Sequence, residues 1–460
     1  MLTSTLQKLF RSTPWIISIF LLTGCGVAQF EQGMPDSPDR PLQVWWSEGY
    51  YPEETEAIRR VIDRWETTTG KLVELTFYSE KDLVVETEKA LQQGTLPDVI
   101  YGYSIDTVLI PKLAWNDQLA DVTSIIEPLK KQYIREALDS VYYFNHPKKA
   151  RSYYAVPISQ STTHIHYWQD FLSKAKVNPR QLPQEWSSFW QIWKTAQTNL
   201  RQQGETTIYG LGLPMSSIAT DTNNIFEQFL EAYNVQLVDD QGNLNLDSSQ
   251  ERQGIVAALK NYTDFYQQGF VPPQAITWND PDNNVFFLSN LTVMTANPTL
   301  SIPGSQRQDP INYNERMRTI PWPNKPDKTP MRNITYVKQI AIFQETSYLK
   351  EAKSLVTFLV QPENLAKFIE GSQGRFFPVM PVLMKRPLWN NPQDAHLFNL
   401  KVQFDNPRLA YTVFNPAYSE VLSQNIWGQA IQKILIDRQS PEQAADFAIN
   451  KIKNIFENWQ

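Results

Sequence analysis

The pattern that most limits the fold is the alternation of strand-like and helix-like segments over residues 42–101. Leu42-Gln43-Val44-Trp45-Trp46 reads as a strand, and Glu53 to Thr69 carries Ala57, Ile58, Val61, Ile62 and Trp65 at helical spacing before stopping at Gly70. Lys71 to Tyr78 reads as a second strand, Lys81 to Gln93 as a helix ending at Gly94, and Pro97 to Tyr101 as a third strand. This β-α-β order predicts a parallel sheet covered by helices, an α/β fold. In such sheets ligands bind beyond the carboxyl ends of the strands, here Ser47 to Tyr51 and Gly102 to Asp106.

Ahead of this region stands the only cysteine, Cys25, closing the run Leu22-Thr23-Gly24-Cys25. Lys8 and Arg11, then the apolar stretch Trp15 to Leu22, give the layout of a secretory signal. Eight residues make about 12 Å of helix, too short for a hydrocarbon core of about 30 Å. The run resembles the lipobox of bacterial lipoproteins. That resemblance implies cleavage of residues 1–24, lipid on Cys25, and more than one acyl chain for stable anchoring to the cell membrane. Residues 25–40, with Gly33, Pro35 and Pro38, read as a flexible lipidated tether. With Cys25 lipidated, stability outside the cytoplasm must come from the core and not from disulfides.

Removing residues 1–24 leaves 436, a length natural for two lobes. It also takes away Lys8 and Arg11 and no acid, so 40 Lys and Arg face 48 Asp and Glu, a net charge of −8. That balance argues against a nucleic-acid partner. Fourteen Trp and twenty Tyr suit flat apolar ligand faces, although a large core absorbs most such rings. No segment after Leu22 reaches eighteen uninterrupted apolar residues, so none is expected to span a membrane.

Segments in order along residues 42–450 resemble the extracellular solute-binding proteins of ABC importers, in the family that includes maltose-binding protein. The opening strand and helix to Gly70-Lys71 are followed by Gly94-Thr95-Leu96-Pro97-Asp98-Val99, similar to "GxxPDV". Tyr154-Ala155-Val156-Pro157 before Tyr167 and Phe171 resembles "YGVP" leading to "YNKDLF"; Pro183-Gln184-Glu185-Trp186 with Phe189 resembles "PxTWxEF". Phe287 to Asn290 through Asn297-Pro298, Glu351 to Glu363, Gly374 to Val379 and Ser440 to Ala444 continue the series. The resemblance implies a periplasmic-binding-protein-like fold of two α/β lobes, a hinge of crossing strands and ligand in the cleft. By analogy, lobe one takes 41–158 and 337–387 and lobe two 159–336 and 388–460. The crossings then fall near Pro157 to Ser161, Ile334 to Lys338 and Leu388 to Phe398.

The candidate pocket starts at Trp46, Glu48, Tyr50 and Tyr51, where rings, a carboxylate and Gly49 meet after the first strand. Sugars need that mix: C–H faces bury on rings while hydroxyls need paired donors and acceptors, and a carboxylate accepts two hydroxyls at once. Strand alternation sends one of Trp45 and Trp46 inward, and Trp46 is expected outward. Asp98 lines the cleft or caps nearby backbone N–H groups. Tyr101 and Tyr103 share a face. Gln160 and Thr162 belong to the polar run Ser159 to Thr163, odd for a buried strand and read as cleft-lining hinge. By family position Trp278, Asn297, Thr299, Trp322, Arg375 and Tyr418 complete the set. Thr299 stands where sugar-binding members often carry Trp after the Asn-Pro or Gly-Pro pair, so a stacking platform is missing there.

No Gly-x-Ser-x-Gly, no Gly-x-x-x-x-Gly-Lys and no His-Glu-x-x-His occurs. His164 and His166 at strand spacing would share a face, either as a metal pair or as ordinary strand surface. Asp239 to Asn245 has calcium-loop composition without the terminal Glu and reads as a hairpin turn around Gly242. The sequence thus points to a monomeric, non-enzymatic, lipid-anchored receptor, free of cofactor and metal, that delivers a sugar, oligosaccharide or polyol to a membrane permease. Arg375 keeps open an anionic solute such as glycerol 3-phosphate. A glycan-acting lipoprotein enzyme and a receptor serving a membrane sensor are the other readings.

Overall fold

The computed structural model describes residues 40–459, so Cys25 and the tether before Arg40 lie outside the described residues. The alternating region folds as strand β1 (Leu42–Ser47), helix α1 (Pro52–Thr69), strand β2 (Val73–Tyr78), helix α2 (Glu80–Gln93) and strand β3 (Val99–Tyr101). Pro52 presets the first turn of α1, and Gly70 and Gly94 close α1 and α2 in the left-handed conformation (φ 69° and 67°) that spares glycine the Cβ clash. Ser79 caps α2 by accepting the Asp82 N–H at 3.1 Å.

Further along are the hairpin β4 (Tyr142–Asn145) and β5 (Ala150–Tyr153), then β6 (Val156–Ser161), β7 (His164–Trp168), β8 (Tyr209–Gly212), β9 (Thr292–Asn297), β10 (Met317–Ile320), β11 (Ile334–Ile342), β12 (Phe377–Pro378) and β13 (Arg408–Leu409). The first sheet runs β12-β6-β11-β3-β1-β2, with β13 against β11; the second runs β10-β7-β9-β8. Within the first sheet β2-β1-β3 and the short β11-β13 pair are parallel, whereas β11, entering from the second sheet, pairs antiparallel to both β3 and β6. The expected parallel sheet is therefore a mixed one. The chain passes from the first sheet to the second between Ser161 and His164 and returns between Ile320 and Ile334.

Each lobe owns a core. Val44, Trp46, Ile58, Trp65, Ile100 and Ile340 belong to the first, and Trp389, Leu397 and Leu400 pack there too. Trp190, Trp193, Phe226, Phe229, Tyr262 and Trp427 fill the second. Most of the aromatic content is thus spent on packing. Among the described residues no helix is long and apolar enough to cross a membrane.

Val238 and Leu244 pair across the turn that holds Gly242 at φ 88°, and Asp239 accepts the N–H groups of Gln241 and Asn243 within it, so Asp239 to Asn245 is a hairpin turn. His164 and His166 do share a face, with ring centroids 6.4 Å apart, but they are buried and not strand surface, because the segments around Thr319 and Gln403 cover that face. His164 Nδ1 lies 2.6 Å from Gln403 Oε1; Thr319 Oγ1 bridges His166 Nδ1 at 2.9 Å and His396 Nδ1 at 2.6 Å. No group of three or more His, Cys, Asp or Glu side chains is placed to hold a metal among the described residues.

Burial pushes the His164 and His396 imidazoles down to about 4, outweighing the Asp394 carboxylate near His396, and burial with the two neighbouring histidines pushes His166 well below its ordinary value. Their folded pKa values lie below the unfolded value of about 6.5, so the unfolded chain binds more protons and stability falls as pH drops below that point. Between pH 7 and pH 5 His164 and His396 are each expected to cost about 2 kcal/mol, and His166 acts in the same direction. Urea unfolding at the two pH values checks this, and His164→Gln is expected to reduce the difference.

Candidate functional site

Beyond the carboxyl ends of β1 and β3 the lobes enclose a cleft of about 330 Å³. From the first lobe Tyr50, Glu80, Tyr103, Ser104, Arg375 and Phe376 reach it; Ser161, Tyr336 and Lys338 form its floor on β6 and β11; Thr220, Asp221, Asp280, Asn284, Asn297 and Thr299 face them from the second lobe.

The first wall is organised by a buried ion pair. Arg375 Nη1 donates to Glu54 Oε2 at 3.3 Å, and its guanidinium lies 5.0 Å from the Tyr50 ring centroid, 4.3 Å from Tyr103 and 4.8 Å from Phe376. Glu54 Oε2 also accepts the Tyr50 N–H at 3.0 Å and the Tyr103 hydroxyl. Glu54 and nearby tyrosines raise the Arg375 pKa against the opposing effect of burial. On the floor, Lys338 Nζ donates to Asp106 Oδ2 at 3.0 Å and to the Tyr103 carbonyl at 2.5 Å. Burial raises the Asp106 carboxyl to about 6, with Lys338 opposing.

The second wall is amide-rich. Asn297 Nδ2 donates to the Thr299 carbonyl at 2.9 Å and to Ser301 Oγ at 3.1 Å. Asn283 and Asn284 come from the helix Asp282–Leu288; Asn283 Nδ2 donates to Asp221 Oδ2 at 3.3 Å, while Asn284 Oδ1 is buried without a partner among the described residues. Asp221 sits in the first turn of the helix Thr220–Ala232, where negative charge suits the dipole, and its N–H donates to Asp280 Oδ1 at 3.0 Å. Burial first, then Asp280 and Glu80, push the Asp221 carboxyl well above the carboxylate range.

The walls touch across the cleft. The Tyr51 hydroxyl donates to the Ser301 carbonyl at 2.6 Å, Leu300 N–H to the Arg375 carbonyl at 3.2 Å, and Arg307 Nε to the Gln373 carbonyl at 2.6 Å. Lys112 pairs with Glu420 at 3.0 Å.

Of the residues singled out from the sequence, Tyr50, Asn297, Thr299 and Arg375 line the cleft, and Tyr51 forms a cross-lobe bond beside it. Trp46 does not face outward: Leu42, Val44 and Trp46 are the core-side set of β1, and Trp46 stacks on Tyr101 at 4.3 Å. Glu48 is exposed outside the cleft lining, its N–H held by the Tyr78 carbonyl. Asp98 lies at the amino end of β3, the wrong edge for a ligand, where it accepts Gln43 N–H at 2.7 Å and pairs with Arg40. Tyr101, Gln160 and Thr162 are buried outside the cleft lining; Gln160 Nε2 donates to the Pro378 carbonyl, and Thr162 Oγ1 has no partner among the described residues. Trp278 packs on Phe286, Trp322 between Trp190 and Phe229, and Tyr418 donates to Glu227 at 2.6 Å, all in the second lobe's interior.

In several segments a neighbour of the expected residue is the one that lines the cleft. Asp280, not Trp278, reaches the cleft; Ser161 does so in place of Gln160 and Thr162; Tyr103 in place of Tyr101. Glu80, Asp221, Asn284 and Lys338 carried no signal beyond their type, since helix starts and strand interiors supply such residues routinely.

The family model for bacterial extracellular solute-binding proteins matches residues 60–397. No curated protein matches the chain. Among solved structures, an ABC transporter solute-binding protein from Thermotoga lettingae TMO with bound alpha-D-tagatose is 21% identical, covering 91% of this chain and all of that one at a TM-score of 0.73. Maltose-bound T. maritima MalE3 is 19% identical over 90% of this chain and 99% of that one, TM-score 0.70. A sugar transporter protein from Arthrobacter chlorophenolicus with laminaribiose is 13% identical over 90% and 99%, TM-score 0.72. These likenesses establish the two-lobed fold, and the match over residues 60–397 establishes the family: the chain is a bacterial extracellular solute-binding protein.

Proposed function

We propose that this protein captures a carbohydrate-like solute, a sugar, oligosaccharide or polyol, between its lobes and delivers it to the permease of an ABC importer. The observation that carries the reading is the facing of two unlike walls. Rings of Tyr50, Tyr103 and Phe376 stand opposite Asn284, Asn297 and Thr299, so one wall suits C–H faces and the other suits hydroxyls. A cleft of about 330 Å³ is at the small end of small-molecule sites. The tagatose, maltose and laminaribiose held by similar structures support the class. As binding residues we propose Tyr50, Asn297, Thr299 and Arg375, with Tyr51 acting on closure. An anionic solute is disfavoured, because Arg375 and Lys338 already pair with Glu54 and Asp106.

The closing bodies are those drawn from the sequence, 41–158 with 337–387 and 159–336 with 388–460, except that Trp389, Leu397 and Leu400, packed in the first core, travel with the first. A ligand touching both walls favours the closed state by its differential affinity, which turns occupancy into a shape the permease reads. The protein acts as a monomer outside the cytoplasm, held to the membrane by lipid on Cys25; the lipobox run Leu22 to Cys25 supports that anchor.

Thermal unfolding of the intact protein against mono-, di- and oligosaccharides, polyols and sugar phosphates tests the class. A true ligand at about 100 times its Kd adds roughly 2.7 kcal/mol, and Asn297→Ala or Tyr50→Ala is expected to weaken binding at least tenfold, about 1.4 kcal/mol. Silence across the panel overturns the carbohydrate reading. Tyr51→Phe removes one cross-lobe hydrogen bond, worth about 1 kcal/mol, and is expected to shift the ligand-free population toward the open form roughly fivefold, seen as a larger radius of gyration in small-angle scattering.

A further inference from the structure

The cations and anions of the cleft are unequally partnered. Both cations are already engaged by carboxylates of the first lobe, Arg375 by Glu54 at 3.3 Å and Lys338 by Asp106 at 3.0 Å. Three carboxylates line the same cavity, Glu80, Asp221 and Asp280, and among the described residues none of them forms an ion pair with a basic side chain. Asp221 is buried, 8% exposed, and the other two reach it electrostatically. Asn284, 6% exposed, adds an amide oxygen with no hydrogen-bond partner among the described residues to the same lining. The lining also holds the Asn224 amide and the Ser104 and Ser161 hydroxyls, which can donate, but the charged groups there that lack an ionic partner are all carboxylates. When the lobes close on a ligand, water leaves, and carboxylates clustered in this way must take up a proton, toward which burial already pushes Asp221, or meet a counter-charge.

We infer that the solute carries a protonated amine, seated against Glu80, Asp221 and Asp280 with Asn284 as a neutral acceptor, so that the natural ligand is an aminated saccharide. This rests on the reading of the cleft as a carbohydrate site and sharpens it. An ammonium group offers three donors and a positive charge, which is what three carboxylates and one free amide oxygen lack. A neutral sugar supplies donors but leaves the charge uncompensated. The rings of Tyr50, Tyr103 and Phe376 then hold the sugar face while the amine fixes its orientation.

Isothermal titration of the intact protein at pH 6 with the β-1,4-linked glucosamine disaccharide, its di-N-acetylated counterpart and spermidine decides the matter. The free-amine disaccharide is expected to bind at least tenfold tighter than the acetylated one. Glu80→Gln, at the exposed start of α2, and Asp221→Asn are each expected to erase most of that preference, with unfolding temperatures confirming that both variants fold. Equal or tighter binding of the acetylated disaccharide overturns the amine inference and leaves the carbohydrate reading standing. Binding of spermidine with neither disaccharide bound overturns the saccharide and keeps the cation site. If none of the three binds, the inference fails, and a neutral sugar found in the thermal panel then shows that the carbohydrate reading has survived it.

Discussion

The buried pair between Arg375 and Glu54 is the interaction on which the cleft depends. Removing both charges from water costs several kcal/mol per ion, and a bare 3.3 Å contact would not offset it. The surroundings do: Glu54 takes the Tyr103 hydroxyl and the Tyr50 N–H, and the guanidinium lies against three aromatic rings. One ion pair thereby fixes the loop after β1, the loop after β3 and the turn before β12. These are the three pieces of the first lobe that carry rings to the ligand side. The Arg375 carbonyl, held by the same arrangement, accepts the Leu300 N–H from the facing lobe, so the pair also positions a closure contact.

A second charged network secures the return of the chain into the hinge. Glu231 pairs with Lys325 at 2.6 Å and Arg332 at 2.8 Å, while Arg408 reaches both Glu227 and Glu231. The Glu227 carboxylate further accepts the hydroxyls of Tyr336 and Tyr418. Because Tyr336 belongs to β11 and Arg408 to β13, the start of the long hinge strand is tied to the helix Thr220–Ala232, whose first turn presents Asp221 to the cleft. Packing, charge and site geometry are therefore linked through single elements: the same helix anchors the hinge at one end and supplies a cleft carboxylate at the other.

How much of the site was legible follows from periodicity. Strand and helix spacing located β1, α1, β2, α2 and β3 to within a residue or two, and the rule that ligands gather at carboxyl strand ends pointed to Tyr50 and to the segment holding Tyr103. Periodicity is silent on which neighbour in a short polar or aromatic run turns toward the cavity. Trp46, Tyr101, Trp278, Trp322 and Tyr418 are attractive ligand platforms by type, yet a protein of this size needs large rings to fill two cores, and these supply part of that need. Asp98 shows the opposite effect: a carboxylate in a recognisable motif serves backbone N–H and arginine at the edge of the sheet away from the ligand.

The sequence by itself determined the α/β character, the caps at Gly70 and Gly94, the two-lobed family and the absence of disulfide staples from a chain with one cysteine. These are properties of local periodicity, turn chemistry and composition, each readable within a short window. Tertiary structure alone decided that β11 runs antiparallel between β3 and β6, that Arg375 faces Glu54 across 321 positions of chain, and that Glu80, Asp221 and Asp280 meet in one cavity. Such juxtapositions depend on how two separately packed cores are set against each other, and no local pattern encodes the distance between residues that only the closed chain brings together.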